Sequence, residues 1–269
     1  MEKKPTPELD PGTENPDICR DKIAQLEQKI RELEAFAAEL QRFSDYSQLG
    51  EERVIINILE RMFAARTLDQ AYLDIGGFDP VVGSNTFKLY QMGWKGVIVE
   101  PNKEKLRNWN RVRPNDLLIP AAAVPDSWAM DKVTMVCSDQ RDARESVDRA
   151  LNARSRLGGT PSPVRYQADA IRFSKLLGKC KEANLAPSFM NIDIEGLEES
   201  LVLDFDFSGN SVPLICIEHF LNEFTDKLSL LEYRNSRLVQ HLERSGYFLV
   251  SVCGISLVFC HRDFFVPYS

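Results

Sequence analysis

Tyr72-Leu73-Asp74-Ile75-Gly76-Gly77-Phe78-Asp79-Pro80 is the stretch on which the reading of this sequence turns. The apolar run Ala71–Gly77 ends in an acid and two glycines, as a buried strand does when it breaks into a tight turn. Four more short apolar runs follow: Lys95–Pro101, Asp116–Val124, Ser188–Glu195 and Val212–Phe220. Their hydrophobicity is continuous rather than alternating, which marks strands covered on both faces. Helix-like stretches such as Ser84–Met92 and Ile171–Ala183 lie between several of them. Alternation of this kind predicts an α/β domain around a mostly parallel sheet.

The end of the chain adds a topological detail. After a helix expected around Asp226–Ser245, the runs Tyr247–Cys253 and Ser256–His261 are separated only by Gly254 and Ile255, a hairpin signature. A parallel sheet finishing in an antiparallel hairpin is a Rossmann-like arrangement that dinucleotide dehydrogenases as a rule lack.

The bulk numbers narrow the function classes. With 269 residues, 43% of them hydrophobic and 27% charged, the chain can bury a substantial core. The net charge of −7 and pI near 5.2 argue against general nucleic-acid binding. No eighteen-residue apolar run predicts a membrane span, and the polar, Pro-rich start lacks a signal core, so a cytoplasmic location is expected. The six cysteines form no C-x-x-C pair and read as reduced structural thiols.

Three segments are expected: a disordered tail over 1–17, a helical coiled-coil segment over 18–43, and the catalytic domain over 44–269. In the second, Ile23, Leu26, Ile30, Leu33, Ala37 and Leu40 recur at a/d spacing, with Ile at the first two a positions and Leu at every d. Lys22 and Lys29 at g would face Glu27 and Glu34 at e of a parallel partner chain. This pattern predicts a homo-oligomer, a dimer or alternatively a trimer. The competing reading is one amphipathic helix folded onto its own domain.

Ligands of open α/β sheets bind beyond the carboxyl ends of the strands. There Gly76 and Gly77 would let the backbone turn and approach a ligand, and Glu100 ends the second strand 26 positions after Asp74. A carboxylate at that place can accept both hydroxyls of a ribose. The dinucleotide fingerprint is broken by Phe78, Asp79 and Pro80, and an acid at Asp79 is unwelcome where a pyrophosphate would sit. A sulfonium ligand without phosphate meets no such objection, so the residues lean from NAD towards S-adenosylmethionine. Asp74 can instead serve the N–H groups of its own turn, a role compatible with cofactor binding.

A second group sits at Asn191-Ile192-Asp193-Ile194-Glu195-Gly196-Leu197-Glu198, where strand geometry would put Asp193 and Glu195 on one face. Glu218 and His219 end the next strand. Buried acids at strand ends are costly unless they meet a cleft, a partner or a metal. Asp193, Glu195 and His219 are therefore candidate catalytic groups. Asp193, Glu195 and Glu218 are candidate ligands of a hard divalent cation such as Mg2+. In the competing reading Glu195 caps a helix and His219 is a rim residue.

Together these motifs resemble the FkbM-type methyltransferases. Tyr46-Ser47-Gln48-Leu49-Gly50-Glu51-Glu52 is similar to that family's Y-S-Q-x-G-E-D opening. Leu73–Gly77, Ser84-Asn85-Thr86, Gly93–Gly96, Val99-Glu100-Pro101-Asn102 and the Asp193–Glu198 segment follow in family order, and Gly246-Tyr247 closes the resemblance. It implies a class I methyltransferase fold and methyl transfer from S-adenosylmethionine to oxygen. The expected acceptor is a hydroxyl of a sugar or glycan, in a polysaccharide or a secondary-metabolite glycoside. It places Asp74, Gly76, Gly77, Asn85, Glu100 and Pro101 at the cofactor. The rivals are a non-catalytic scaffold and an NAD(P)-dependent sugar-modifying enzyme. The segment Met130–Pro163 departs from the family. Its arginines over 141–156 read either as anion holders at a cleft or as an exposed helix in which Arg pairs with Asp142, Glu145 and Asp148.

Overall fold

The computed structural model describes residues 20, 22–33, 45–137, 146–147, 164–194, 196–207, 209, 211–219 and 230–266. The chain divides into two compact units, Met1–Ser44 and Asp45–Ser269. In the first, residues 22–33 are helical, and Ile23, Leu26, Ile30 and Leu33 are each more than half exposed. The tail over 1–17, Ala37 and Leu40 lie outside the described residues.

The second unit is built on a seven-stranded sheet: β1 (Ala71–Ile75), β2 (Lys95–Val99), β3 (Leu117–Ile119), β8 (Phe189–Ile192), β9 (Leu214–Glu218), β10 (Tyr247–Cys253) and β11 (Ser256–His261). Their order is β10-β11-β9-β8-β1-β2-β3, with β1, β2, β3, β8 and β9 parallel and β11 antiparallel to both neighbours. The expected mostly parallel sheet with a terminal hairpin is therefore present, with the hairpin bounded as the sequence suggested and Gly254 at φ +58° in its turn.

Period-two geometry sorts the strands onto two cores. Leu73, Ile75, Val97, Val99, Met190, Ile192, Ile215 and Ile217 face the helices Phe173–Glu182, Glu198–Leu203 and Arg237–Arg244. Tyr72, Ile98, Phe189, Leu214 and Cys216 face Ile55, Leu59 and Met62 of helix Glu51–Ala65 and Trp109 of helix Lys103–Val112. Cys180, Cys216 and Cys260 are buried and Cys253 is half-buried, all four as free thiols. Burial pushes the Cys180 thiol up to about 12 and that of Cys260 to about 11, so neither is a nucleophile near neutral pH.

Three expectations are corrected. The run Asp116–Val124 is two strands: β3 stays in the main sheet, while β4 (Ala121–Val124) starts a second sheet after Pro120. Proline has no N–H to donate, so the ladder stops there. The helix expected near Asp226–Ser245 is, over its described part, two helices, Leu230–Arg234 and Arg237–Arg244. Ser236 between them accepts a hydrogen bond from the Val239 N–H (3.3 Å) and starts the second. Within Ser84–Met92 the helix is shorter than expected: it spans Phe87–Gln91, after bends at Asn85 and Thr86.

The second sheet runs β4-β7-β5-β6, with β5 at Lys132–Cys137, β6 at Ser146–Val147 and β7 at Val164–Arg172. Ser146 and Val147 pair antiparallel with Val136 and Met135, so at these two residues the chain is strand, not the exposed helix that the arginine spacing suggested. Arg141, Arg144, Arg149, Arg154 and Arg156 lie outside the described residues.

Candidate active site

The direction of chain travel fixes where the site lies. From β1 the chain moves outward through β2 to β3, then returns to β8 on the other side of β1. Strand order thus reverses between β1 and β8, and the crevice at their carboxyl ends is the place where such sheets bind ligands. A cavity of about 430 Å3 occupies it.

Gly76 makes this junction possible. A Cβ there would stand 1.6 Å from the Asp193 carbonyl oxygen, and its φ is +94°. The backbones ending β1 and β8 therefore touch at a position open to glycine alone. Gly77 is needed for packing: a Cβ would fall 2.6 Å from Ile98 Cγ2 and 2.9 Å from Trp109. Both glycines line the cavity, and each also allows a close approach within the protein itself.

The other residues expected at a cofactor stand around the same cavity: Asp74, Asn85, Glu100 and Pro101. Glu100 is 3% exposed, and its Oε1 accepts the Asn102 N–H at 2.7 Å. Asp79 also lines the cavity, yet it begins a turn and not a helix. Its Oδ1 accepts the N–H groups of Val81 and Val82, each at 2.8 Å, so these donors are already taken where a phosphate would seek them.

Beneath the cavity floor runs a buried polar network. Asp74 Oδ2 accepts from Thr86 Oγ1 (2.5 Å) and Oδ1 from Asn191 Nδ2 (3.0 Å), and Asn191 Oδ1 accepts from Asn85 Nδ2 (2.9 Å). Arg113, wholly buried, donates to Thr86 Oγ1 from Nη1 and Nη2, both at 3.1 Å, and to Tyr72 Oη at 2.6 Å. Its Nε lies 2.8 Å from Asp116 Oδ2, an ion pair whose two side chains are fully buried. Burial pushes the Asp116 carboxyl above its usual range, against the downward pull of Arg113. The guanidinium also lies 4.4 Å from the Trp109 ring, a stacked cation–π contact. Gly96 leaves room for Tyr72, whose ring lies 1.9 Å from where its Cβ would be.

Of the acidic group, Asp193 lines the cavity, at the point where β8 has just ended at Ile192. Strand periodicity therefore stops before Glu195, which lies outside the described residues. Glu198, which sequence reasoning missed, takes over the local work. Its Oε1 accepts the N–H of Ile194 (2.9 Å) and its Oε2 that of Gly196 (2.9 Å). The available signal was an acid at the first position of a helix, where backbone donors are in excess. Asp193, Glu198 and Glu218 bring one carboxylate oxygen each within 4.8 Å of one another. His219 is 4% exposed and is not among the cavity-lining residues; burial pulls its pKa down, which keeps the imidazole neutral.

Two walls were not assigned from the sequence. Asp45, Tyr46, Ser47 and Gln48 close one side. They are held by two buried acids: Glu52 accepts from the Tyr46 and Lys88 N–H groups (3.0 and 2.9 Å), and Glu51 from the Leu49 N–H (2.7 Å). Burial raises the Glu52 pKa, with these backbone donors opposing. The opposite wall comes from the second sheet, through Ala122, Ala123 and Met135. The repeated hydrophobicity of strands has no way to announce which apolar side chain will border a ligand.

Among the described residues no helix is long and apolar enough to cross a membrane. No curated protein and no solved structure matches this chain. The family model for the methyltransferase FkbM domain matches residues 74–249, well over half of the sequence, from Asp74 within β1 to Leu249 within β10. Enzymes of such families generally draw the methyl group from S-adenosylmethionine. With its sheet order, its crevice at the β1–β8 reversal and this match, the chain belongs to the FkbM methyltransferase family.

Proposed function

We propose that the chain is an S-adenosylmethionine-dependent O-methyltransferase whose acceptor is a hydroxyl of a sugar or glycan. The observation that carries the reading is the cavity at the β1–β8 reversal, bordered by Glu100 on one side and Asp193 on the other. The donor set fits the cofactor. Glu100 offers a carboxylate to a ribose diol, Asn85 Oδ1 is a buried acceptor with no partner among the described residues, and Asp79 leaves no free N–H at Val81 or Val82 for a phosphate.

When bound, the cofactor supplies a methyl group on a positively charged sulfur, a leaving group that needs no acid. The protein's remaining tasks are to align the acceptor oxygen and to remove its proton. A sugar hydroxyl does not ionise unaided near neutral pH, so a base is required. Asp193 is the carboxylate of the group that borders the cavity, and it takes that role. The expected test is calorimetric. S-adenosylhomocysteine binds with micromolar affinity, NAD does not, and Glu100→Ala weakens the first by about 10- to 100-fold, the range for a lost charged hydrogen bond. Absence of S-adenosylhomocysteine binding by the unaltered protein would sink the assignment.

A second reading of the acids rests on one distance. Three carboxylates within 4.8 Å repel one another unless they share a proton or a cation. In that reading Asp193, Glu198 and Glu218 hold Mg2+, which would lower the acceptor's pKa. Glu195, expected from the sequence among these ligands, lies outside the described residues.

The exposed Ile23, Leu26, Ile30 and Leu33 support a parallel homodimer through residues 18–43 in a cytoplasmic enzyme. Sedimentation equilibrium should give a dimer, and Leu26→Lys with Leu33→Lys a monomer that still binds S-adenosylhomocysteine. A monomeric unaltered protein refutes the dimer.

A further inference from the structure

Asp193 stands just beyond the last residue of β8, where the strand no longer fixes its backbone. Other contacts do so. The Asp193 N–H donates to the Ile75 carbonyl at 2.9 Å, and the Asp193 carbonyl oxygen packs on Gly76. The next N–H, that of Ile194, donates to Glu198 Oε1 at 2.9 Å. The peptide units on both sides of the Asp193 Cα are therefore tied, one to β1 and the other to Glu198. The same Oε1 accepts the Gly196 N–H at 3.1 Å, and Oε2 accepts it at 2.9 Å. Gly196 has a φ of +117°, so the chain leaves the strand end by a route that favours glycine. Glu198 is itself well anchored. It is 4% exposed and begins the helix Glu198–Leu203, whose Leu201 and Val202 are wholly buried in the core.

We propose that Glu198 is a positioning residue for methyl transfer: by accepting the Ile194 and Gly196 N–H groups it aims the Asp193 carboxylate at the acceptor hydroxyl. The proposal rests on the reading of Asp193 as the base. With the peptide units on either side of it tied, both backbone torsions of Asp193 are set, and with them the direction of its Cα–Cβ bond. Releasing the Ile194 N–H frees one of the two ties. A reacting group displaced by about 1 Å can cost about 10²-fold in rate, so the effect falls on the chemical step. The cofactor keeps Glu100, which follows β2 on the other side of β1. The role is one of geometry and not of charge. Oε1 alone takes both N–H groups, so a neutral amide with its oxygen in that place would serve as well. A cation held by the same three acids would instead require the charge of Glu198.

Glu198→Ala should lower kcat by about 10- to 100-fold and leave S-adenosylhomocysteine affinity within about threefold, which also reports that the variant is folded. Glu198→Gln should recover most of that loss. Amide hydrogen exchange at Ile194 and Gly196 should quicken in Glu198→Ala but not in Glu198→Gln. Glu198→Ala added to Asp193→Asn should cost little more than Asp193→Asn alone, because Glu198 acts through Asp193. Turnover as slow in Glu198→Gln as in Glu198→Ala means that the charge acts, and overturns the positioning role. Additive losses in the double variant overturn it too, as does a fall in S-adenosylhomocysteine affinity that matches the fall in kcat. Unchanged turnover in Glu198→Ala, with Asp193→Asn slow, overturns it and leaves the base reading standing. Unchanged turnover in Asp193→Asn fails the base reading itself.

Discussion

Asp193→Asn should lower kcat by about 10²- to 10⁴-fold, the usual contribution of a positioned general base. S-adenosylhomocysteine affinity should change by less than about threefold, since an amide keeps the shape while it removes the charge and replaces one acceptor oxygen by an NH2 donor. Asp193 is suited to this because it follows β8 directly, with its N–H bonded to the Ile75 carbonyl at 2.9 Å and its carbonyl packed on Gly76. The side chain is thus carried on backbone that two strands hold in place. Turnover of methyl acceptors, followed by S-adenosylhomocysteine release, measures the effect. Unchanged kcat in Asp193→Asn removes the base assignment. The cation reading makes a different demand: activity lost in chelator, restored by Mg2+, and no longer restored in Glu218→Gln. Activity indifferent to chelator retires that reading and leaves the proton as what the three acids share.

Arg113→Met should be the most destabilising single change away from the ligand, costing about 3–5 kcal/mol. Removing one member of a buried pair leaves the other uncompensated, and here Asp116 would remain fully buried, bonded to Tyr72 Oη and the Gly96 N–H. Thr86 would also lose both guanidinium donors. Urea unfolding followed by fluorescence provides the measurement, and Trp109 packed on the guanidinium is a local reporter. Arg113→Met combined with Asp116→Asn should cost less than the sum of the two single changes, because the stranded charge is gone. A loss under about 1 kcal/mol for Arg113→Met would mean that the network is not what holds the floor of the site.

The strands were legible because burial on both faces leaves a continuous apolar run, and the hairpin because a two-residue connection admits few geometries. Glu100 and Asp193 were legible as acids ending such runs. The run Asp116–Val124 was misread as one strand because a proline inside it, Pro120, can stop one ladder while the chain runs on into another. Arg113 gave no signal at all, and Thr86 appeared only as the last residue of the Ser84-Asn85-Thr86 motif, with no role of its own. An arginine near the end of an amphipathic helix reads as surface charge, and only the fold brings Tyr72, Thr86 and Asp116 around it. The glycines were legible as places of close approach, but the sequence did not show that Gly76 would meet the Asp193 carbonyl and Gly77 the side chains of Ile98 and Trp109.

The second sheet leaves the main fold and returns to it at one spot, for Val124, where β4 ends, is the register partner of Arg172, where β7 ends. Val124 and Arg172 thus stand side by side, and the described residues between them include β5, β6 and all but the last residue of β7. Length can be gained or lost in such a loop of chain without shifting what it is anchored to. Evolution is therefore free to reshape the wall that carries Met135 while the strand ends bearing Glu100 and Asp193 stay as they are. Descendants of one ancestral enzyme could in this way diverge in the molecules they accept and still share one way of holding the donor.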